Sequence, residues 1–240
     1  MSRLVLILAL ALASRGVPAA EPSADDLVRR YDAVMSPPAF EARLEMVAHR
    51  QDGTTRGYEL RVLKAPDDKV RAWFLAPASS RGQEMLRSGD NLWIYMPNLK
   101  RALRVASRES FQGGDFNNGD ILRVNYVADY LAATAPSVDP GAWSVELRAR
   151  SPESTYDRIV LWMSRDRRLP VRAEYYAASG KLLRSATFTE VRSFHGLERP
   201  AHVTMRNELA TRRWSELTWI DFEVGSAAPA QRFVLDDLGR

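Results

Sequence analysis

The chain has 240 residues, 34 basic and 30 acidic side chains, 45% hydrophobic residues and no cysteine. Lacking cysteine, it has neither disulfides nor the acylated residue that anchors a bacterial lipoprotein, so its stability has to come from burial. The charges alternate in sign without a long basic block, so the high pI is no argument for nucleic acid, and no nucleic-acid partner is expected.

Met1-Ser2-Arg3, the apolar run Leu4 to Ala13 and the small residues Val17-Pro18-Ala19-Ala20 have the layout of a secretory signal peptide over residues 1–20. Spanning a bilayer takes about 20 apolar residues, and this run is shorter. An exported mature chain, residues 21–240, is therefore expected as one domain, with the periplasm as its compartment. Ser23 stands before Asp25 and Asp26, and Leu27, Val28, Tyr31 and Val34 recur at helical spacing until Pro37-Pro38. This pattern predicts a capped helix with one apolar face.

From Phe40 the period becomes two. Phe40, Ala42, Leu44, Met46 and Ala48 share a face, and Tyr58, Leu60 and Val62, then Val70, Ala72 and Phe74, repeat the alternation. In Leu92–Met96 both faces are apolar, which predicts a central strand covered on each side. Ser107 to Asp120 has no period and leads into Ile121, Leu122, Val124, Tyr126, Val127, Tyr130 and Leu131, read as one or two short helices ending near Pro136. Alternation resumes at Trp143–Leu147, Ile159–Met163, Val171–Tyr175, Leu182–Val191, Ala201–Glu208 and Arg213–Glu223, with a last strand expected at Arg232–Leu235. The sum is nine to eleven strands of an antiparallel sandwich or barrel.

Signals for chemistry are weak. His49, His195 and His202 have no metal-binding spacing, and no nucleophile elbow, P-loop or dinucleotide fingerprint occurs, so neither metal nor cofactor is expected. A hairpin would bring His195 and His202 together, although two surface histidines beside Pro200 are the simpler reading. Glu109, Asp115 and Asp120 form the one acidic cluster in an irregular loop, with Asp120 placed where a helix N-cap belongs. Paired carboxylates do acid–base work when a pocket separates their pKa values, which keeps a hydrolase using Asp115 and Asp120 as an alternative. No catalysis is the expectation.

The densest segment is Gly89-Asp90-Asn91-Leu92-Trp93-Ile94-Tyr95-Met96-Pro97, then Lys100, Arg101 and Arg104, then Phe111-Gln112-Gly113-Gly114-Asp115-Phe116 and Asp120. It resembles the outer-membrane lipoprotein-sorting protein family, related to the periplasmic carrier LolA. The N-terminal helix, Gly196-Leu197-Glu198-Arg199-Pro200 before a strand with Met205, and the ending Asp221-Phe222 with Phe233–Leu238 fit the same family. Gly114 replaces the family's usual Ser or Thr, and Asn118-Gly119 replaces an aromatic and an acid.

The resemblance implies an incomplete antiparallel β-barrel, its concave face apolar and covered by the N-terminal helix and short central helices. It does not imply a catalytic site, and a carrier is the expectation. Candidate cavity-lining residues are Phe40, Leu44, Met46, Phe74, Trp93, Tyr95 and Trp162. The motif loop contributes Arg101, Arg104, Phe111, Gly113, Asp115, Phe116 and Asp120, and Arg101, Arg104 and Arg108 are candidates for a phosphate headgroup or an acidic partner. A 14-carbon chain needs roughly 10 kcal/mol of compensation to leave a bilayer, which contact area in a roofed cavity supplies. The expected partners are lipid or lipoprotein acyl chains and an inner-membrane transporter or outer-membrane acceptor, and the chain is expected to be a monomer. The alternative is an accessory module that docks on a membrane transporter and carries no lipid.

Overall fold

In a computed structural model, described for residues 21–210, 212–225 and 229–240, every strand belongs to one antiparallel sheet. The signal peptide expected over residues 1–20 lies outside the described residues. Helix α1 (Ala24–Met35) starts on a reciprocal cap: the Asp26 amide donates to Ser23 Oγ and the Ser23 amide to Asp26 Oδ2. Its stripe of Leu27, Val28, Tyr31, Val34 and Met35 is buried. The strands of the first half are β1 (Phe40–His49), β2 (Thr55–Ala65), β3 (Lys69–Ala76), β4 (Glu84–Ser88), β5 (Asn91–Met96) and β6 (Arg101–Arg104). Helices α2 (Asn118–Leu122) and α3 (Tyr126–Asp129) follow. The second half comprises β7 (Tyr130–Ala135), β8 (Ala142–Ala149), β9 (Arg158–Ser164), β10 (Pro170–Tyr176), β11 (Leu182–Phe194), β12 (Leu197–Asn207) and β13 (Trp214–Val224).

The strand order is β6-β5-β4-β3-β2-β1-β13-β12-β11-β10-β9-β8-β7. Both halves are plain meanders, joined in the middle where β1 pairs with β13. Two edges, β6 and β7, therefore stay unpaired, and the sheet is an open barrel. Sheets this wide curl because each strand carries a right-handed twist. The connection from β6 to β7, residues 105–129, has to cross the open side from one edge to the other. It becomes a roof by topology alone.

The main core lies between the inner sheet face and this roof with α1. A second cluster covers the outer face of β2 to β5, where Leu63, Leu86, Trp73, Trp93 and Tyr95 meet Phe233 and Leu238 of the C-terminal segment. Arg71, fully buried, fastens that segment: it pairs with Glu84 and Asp237 and donates to the carbonyls of Arg232 (2.9 Å) and Asp237 (2.7 Å).

The open antiparallel barrel with helices on its inner side agrees with expectation, but the described residues form thirteen strands. Strands β4, β6 and β7 are additional, being short or masked by polar residues. The strand expected at Arg232–Leu235 is instead part of two 3-10 turns, Ala230–Phe233 and Leu235–Asp237. Strand β5 is indeed covered on both faces, yet it is second from an edge, because the C-terminal segment supplies its outer cover. The short helices end at Asp129, and Tyr130–Ala135 is strand where helix was expected. No helix among the described residues is long and apolar enough to cross a membrane.

Candidate functional site

Strict alternation along β1 to β3 turns Phe40, Leu44, Met46 and Phe74 toward the roof, all buried. The same alternation corrects three sequence-based assignments. Leu92 and Ile94 face the main core, so Trp93 and Tyr95 point outward, against the C-terminal segment. In β9 the inner positions are Ile159, Leu161 and Met163, and Trp162 lies on the outer face beneath Arg172, 4.9 Å away. Arg101 and Arg104 are exposed on the edge strand β6, where charge blunts unwanted strand pairing. Arg108 is engaged, in a two-pronged pair with Asp157 and a bond to the Ser154 carbonyl. His195 and His202 do not meet: His195 is 3.3 Å from Asp221, and His202 Nδ1 is 3.0 Å from Thr218 Oγ1.

The motif loop builds the roof. Phe111 is fully buried and stacks on Phe74, ring centres 5.9 Å apart, and Phe116 is buried beside it. Gly113 adopts φ +75°, a turn that favours glycine. Gly114 lies so close to Ser215 that a side-chain carbon there would stand 3.1 Å from its hydroxyl. A larger residue at this position would crowd Ser215 of β13, the Phe111 carbonyl and Met46. Asp115 accepts from Ser215 Oγ (3.0 Å) and Asn207 Nδ2 (3.0 Å), pinning the loop to β12 and β13. Asp120 is not the N-cap of α2; it is the third helical residue and reaches back to the Asn117 amide at 2.7 Å. It also accepts from Tyr156 Oη at 2.7 Å. Asp115 and Asp120 thus serve separate structural networks, and Glu109 is exposed.

Helix α1 is tied to the roof by Asp32, which accepts from the amides of Tyr126 (3.0 Å) and Val127 (2.8 Å) at the start of α3, and by the Tyr31–Tyr126 stack at 4.6 Å. Burial pushes the carboxyl groups of Asp32 and Asp120 up to about 6. A carboxyl raised in the folded state keeps a proton that the unfolded chain has already released. Its stabilising effect is therefore full below about pH 4 and is lost as pH rises toward 6. Asp120→Asn, which keeps an acceptor for Tyr156, is expected to flatten this dependence. Between about pH 4 and pH 7 the wild type loses up to about 3 kcal/mol more stability than the variant, measured by urea unfolding at both pH values. Parallel losses in the two proteins show that Asp120 ionises normally when folded.

Between sheet and roof remains a narrow cavity of about 50 Å³, lined by Tyr31, Met35, Ser36, Phe40, Phe116, Ile121, Val124, Tyr126, Tyr175, Phe188, Val203, Met205, Leu217 and Trp219, with the Asp120 carboxyl among them. Ligand pockets typically hold about 300–1,000 Å³, and here the protein's own side chains fill most of that space. Ser36 and Val124 also line an open cleft of about 460 Å³, bounded by α1, Lys64 and the turn at Pro66–Asp68. The cleft is a mouth carrying Arg29, Asp32, Lys64, Asp67 and Asp68, and it adjoins a throat walled mainly by apolar side chains and Asp120. Of the seven residues proposed from sequence, Phe40 alone reaches the cavity wall. Sequence reasoning missed the walls contributed by β11 to β13, although Ala201, Val203 and Met205 alternate there. Among the described residues no cluster of metal-ligating side chains is present.

An open, curled antiparallel sheet roofed by its edge-to-edge connection and an N-terminal helix is the LolA superfamily fold. A LolA superfamily protein from Nitrosomonas europaea superposes with TM-score 0.81 at 25% identity, over 90% of this chain and 99% of that one. A Vibrio parahaemolyticus domain described as outer-membrane lipoprotein-sorting gives TM-score 0.75 at 23% identity, over 90% and 97%. A DUF1329 family protein from Desulfovibrio piger gives 0.78 at 20%, over 90% and 97%. Curated proteins contain no match. A protein-family model described as "Uncharacterized protein" matches residues 66–240, and the chain belongs to that family, whose fold is LolA-like.

Proposed function

We propose that this protein is a periplasmic, non-catalytic carrier that holds a lipid, an acyl chain or a lipoprotein's acyl chains between its sheet and its roof. Residues 1–20 direct export and are then removed, and residues 21–240 act as one carrier domain. The observation that carries this reading is the mainly apolar cavity between the sheet and a roof built from a separate connection, with an open mouth beside it. Burial of a chain there is driven by about 0.8 kcal/mol per methylene, and the cost is the opening of the roof. The likeness to the Nitrosomonas europaea protein supports the same reading. Asp115 and Asp120 are held by structural hydrogen bonds, which weighs against their use in hydrolysis.

The test is mass spectrometry of an organic extract of the purified protein, paired with uptake of a fluorescent acyl probe. Lipid in the extract and probe binding are expected. Val203→Phe, which grows into the throat, is expected to cut probe affinity at least about tenfold, the equivalent of about 1.4 kcal/mol. An extract free of lipid together with no probe uptake overturns carriage and leaves the docking module.

A further inference from the structure

Strand β12 carries Arg199 in phase with Ala201, Val203 and Met205, so an arginine projects to the inner, apolar face. Its side chain has no exposure to solvent. A bulge between Arg43 and Leu44 in the β1–β13 ladder changes the phase of β13, and Trp219 and Phe222 both turn inward. The guanidinium lies over both rings, 4.3 Å from Trp219 and 3.8 Å from Phe222. Among the described residues its single oxygen contact is a long one, from Nη2 to the Met35 carbonyl at 3.4 Å, and Nε and Nη1 have no hydrogen-bond partner there.

Such a group is costly. Planar guanidinium suits bidentate binding of carboxylate or phosphate, and a buried cation normally has one. Burial depresses Arg199 to about 9, opposed by Tyr31 and by no carboxylate. The Met35 carbonyl belongs to the last turn of α1, a turn without basic residues of its own. On the mouth side of the same helix end, Lys64 Nζ donates to the Ser36 carbonyl (3.0 Å) and hydroxyl (2.8 Å). Met35 and Trp219, which Arg199 touches, line the throat; Lys64 lines the mouth. Two buried cations therefore sit at the same end of α1, Lys64 in the mouth and Arg199 behind the throat wall, and among the described residues Arg199 has no carboxylate partner.

We propose that Arg199, with Lys64 at the entrance, is the oxyanion site for the head group of an acidic amphiphile, a carboxylate or phosphate borne on the acyl chain. The proposal rests on the carrier reading and specifies its ligand class. When α1 lifts, both cations lose their carbonyl acceptors at the helix end, and the oxyanion replaces them. The aromatic rings beneath Arg199 hold the cation in place while the chain fills the space under the roof. The cost of keeping an unpaired charge in the closed protein is then offset on binding.

The delipidated full protein is titrated with palmitate, a lysophosphatidic acid, hexadecanol and inorganic phosphate by displacement of the acyl probe. Both acids are expected to bind at least about tenfold tighter than the alcohol, as charge-assisted hydrogen bonds imply. Inorganic phosphate alone is expected not to displace the probe. Arg199→Met is expected to abolish the preference for acids while melting at or above the wild-type temperature, and Arg199→Lys to retain part of it. If Arg199→Met does not fold, Arg199→Gln takes its place in the same comparison. Equal binding of acid and alcohol, or a preference that survives loss of Arg199, overturns the oxyanion site and leaves carriage standing. Displacement by phosphate alone overturns the amphiphile and assigns a free anion. Failure of all four ligands and of the probe overturns carriage itself.

Discussion

Arg71→Ala is expected to destabilise the protein by about 3–5 kcal/mol, the range seen when one partner of a buried ion pair is removed. The side chain is fully buried and satisfies Glu84, Asp237 and two main-chain carbonyls of the C-terminal segment. Its removal leaves Glu84 buried without a counter-charge and releases residues 229–240 from the outer face. Trp73 and Trp93 then meet water, and tryptophan emission shifts to the red at denaturant concentrations well below global unfolding. The double variant Arg71→Met, Glu84→Leu is expected to recover much of the stability, since it removes the stranded charge as well. Uptake of the acyl probe is expected to persist, because this cluster lies across the sheet from the throat. A variant that melts like the wild type with unchanged emission shows that the segment is held by Phe233 and Leu238 instead.

Phe111→Ala is expected to loosen the roof with little effect on the sheet. Phe111 is fully buried and stacked on Phe74, and truncating a buried phenylalanine costs about 3–5 kcal/mol. The cost falls on residues 111–129, whose other fastenings are Asp115, Asp120, Asp32 and Arg123, the last paired with Asp129 at 3.1 Å and Asp90 at 2.8 Å. Amide hydrogen exchange is therefore expected to accelerate by two to three orders of magnitude in the roof, while β1 and β13 stay protected. Faster probe entry accompanies it if roof opening limits uptake. Equal loss of protection in roof and sheet shows that the two open together, and a movable cover is then ruled out.

The local physics of this chain is largely visible in the linear sequence. A serine before two aspartates and a 3.6-residue apolar stripe define α1, and period-two alternation defines the long strands and their inner faces. The central aromatic motif with its glycine-rich sequel carries the LolA-like likeness that the fold bears out. Short or polar strands escape this reading because β4, β6 and β7 draw their stability from neighbours in the ladder, with little help from their own pattern.

Position within the sheet was decided only in three dimensions. Trp93, Tyr95 and Trp162 look like cavity aromatics in sequence, but alternation says that two faces exist without saying which one the roof covers. That choice was made by the pairing of β1 with β13, by the connection that crosses from edge to edge, and by a C-terminal segment that buries the other face. Arg199 is the sharpest case: in sequence it is one of thirty arginines, and only long-range pairing and a bulge in the neighbouring strand place it, uncompensated, over two aromatic rings. Periodicity is a property of neighbours along the chain, whereas burial of a charge depends on residues far away in sequence.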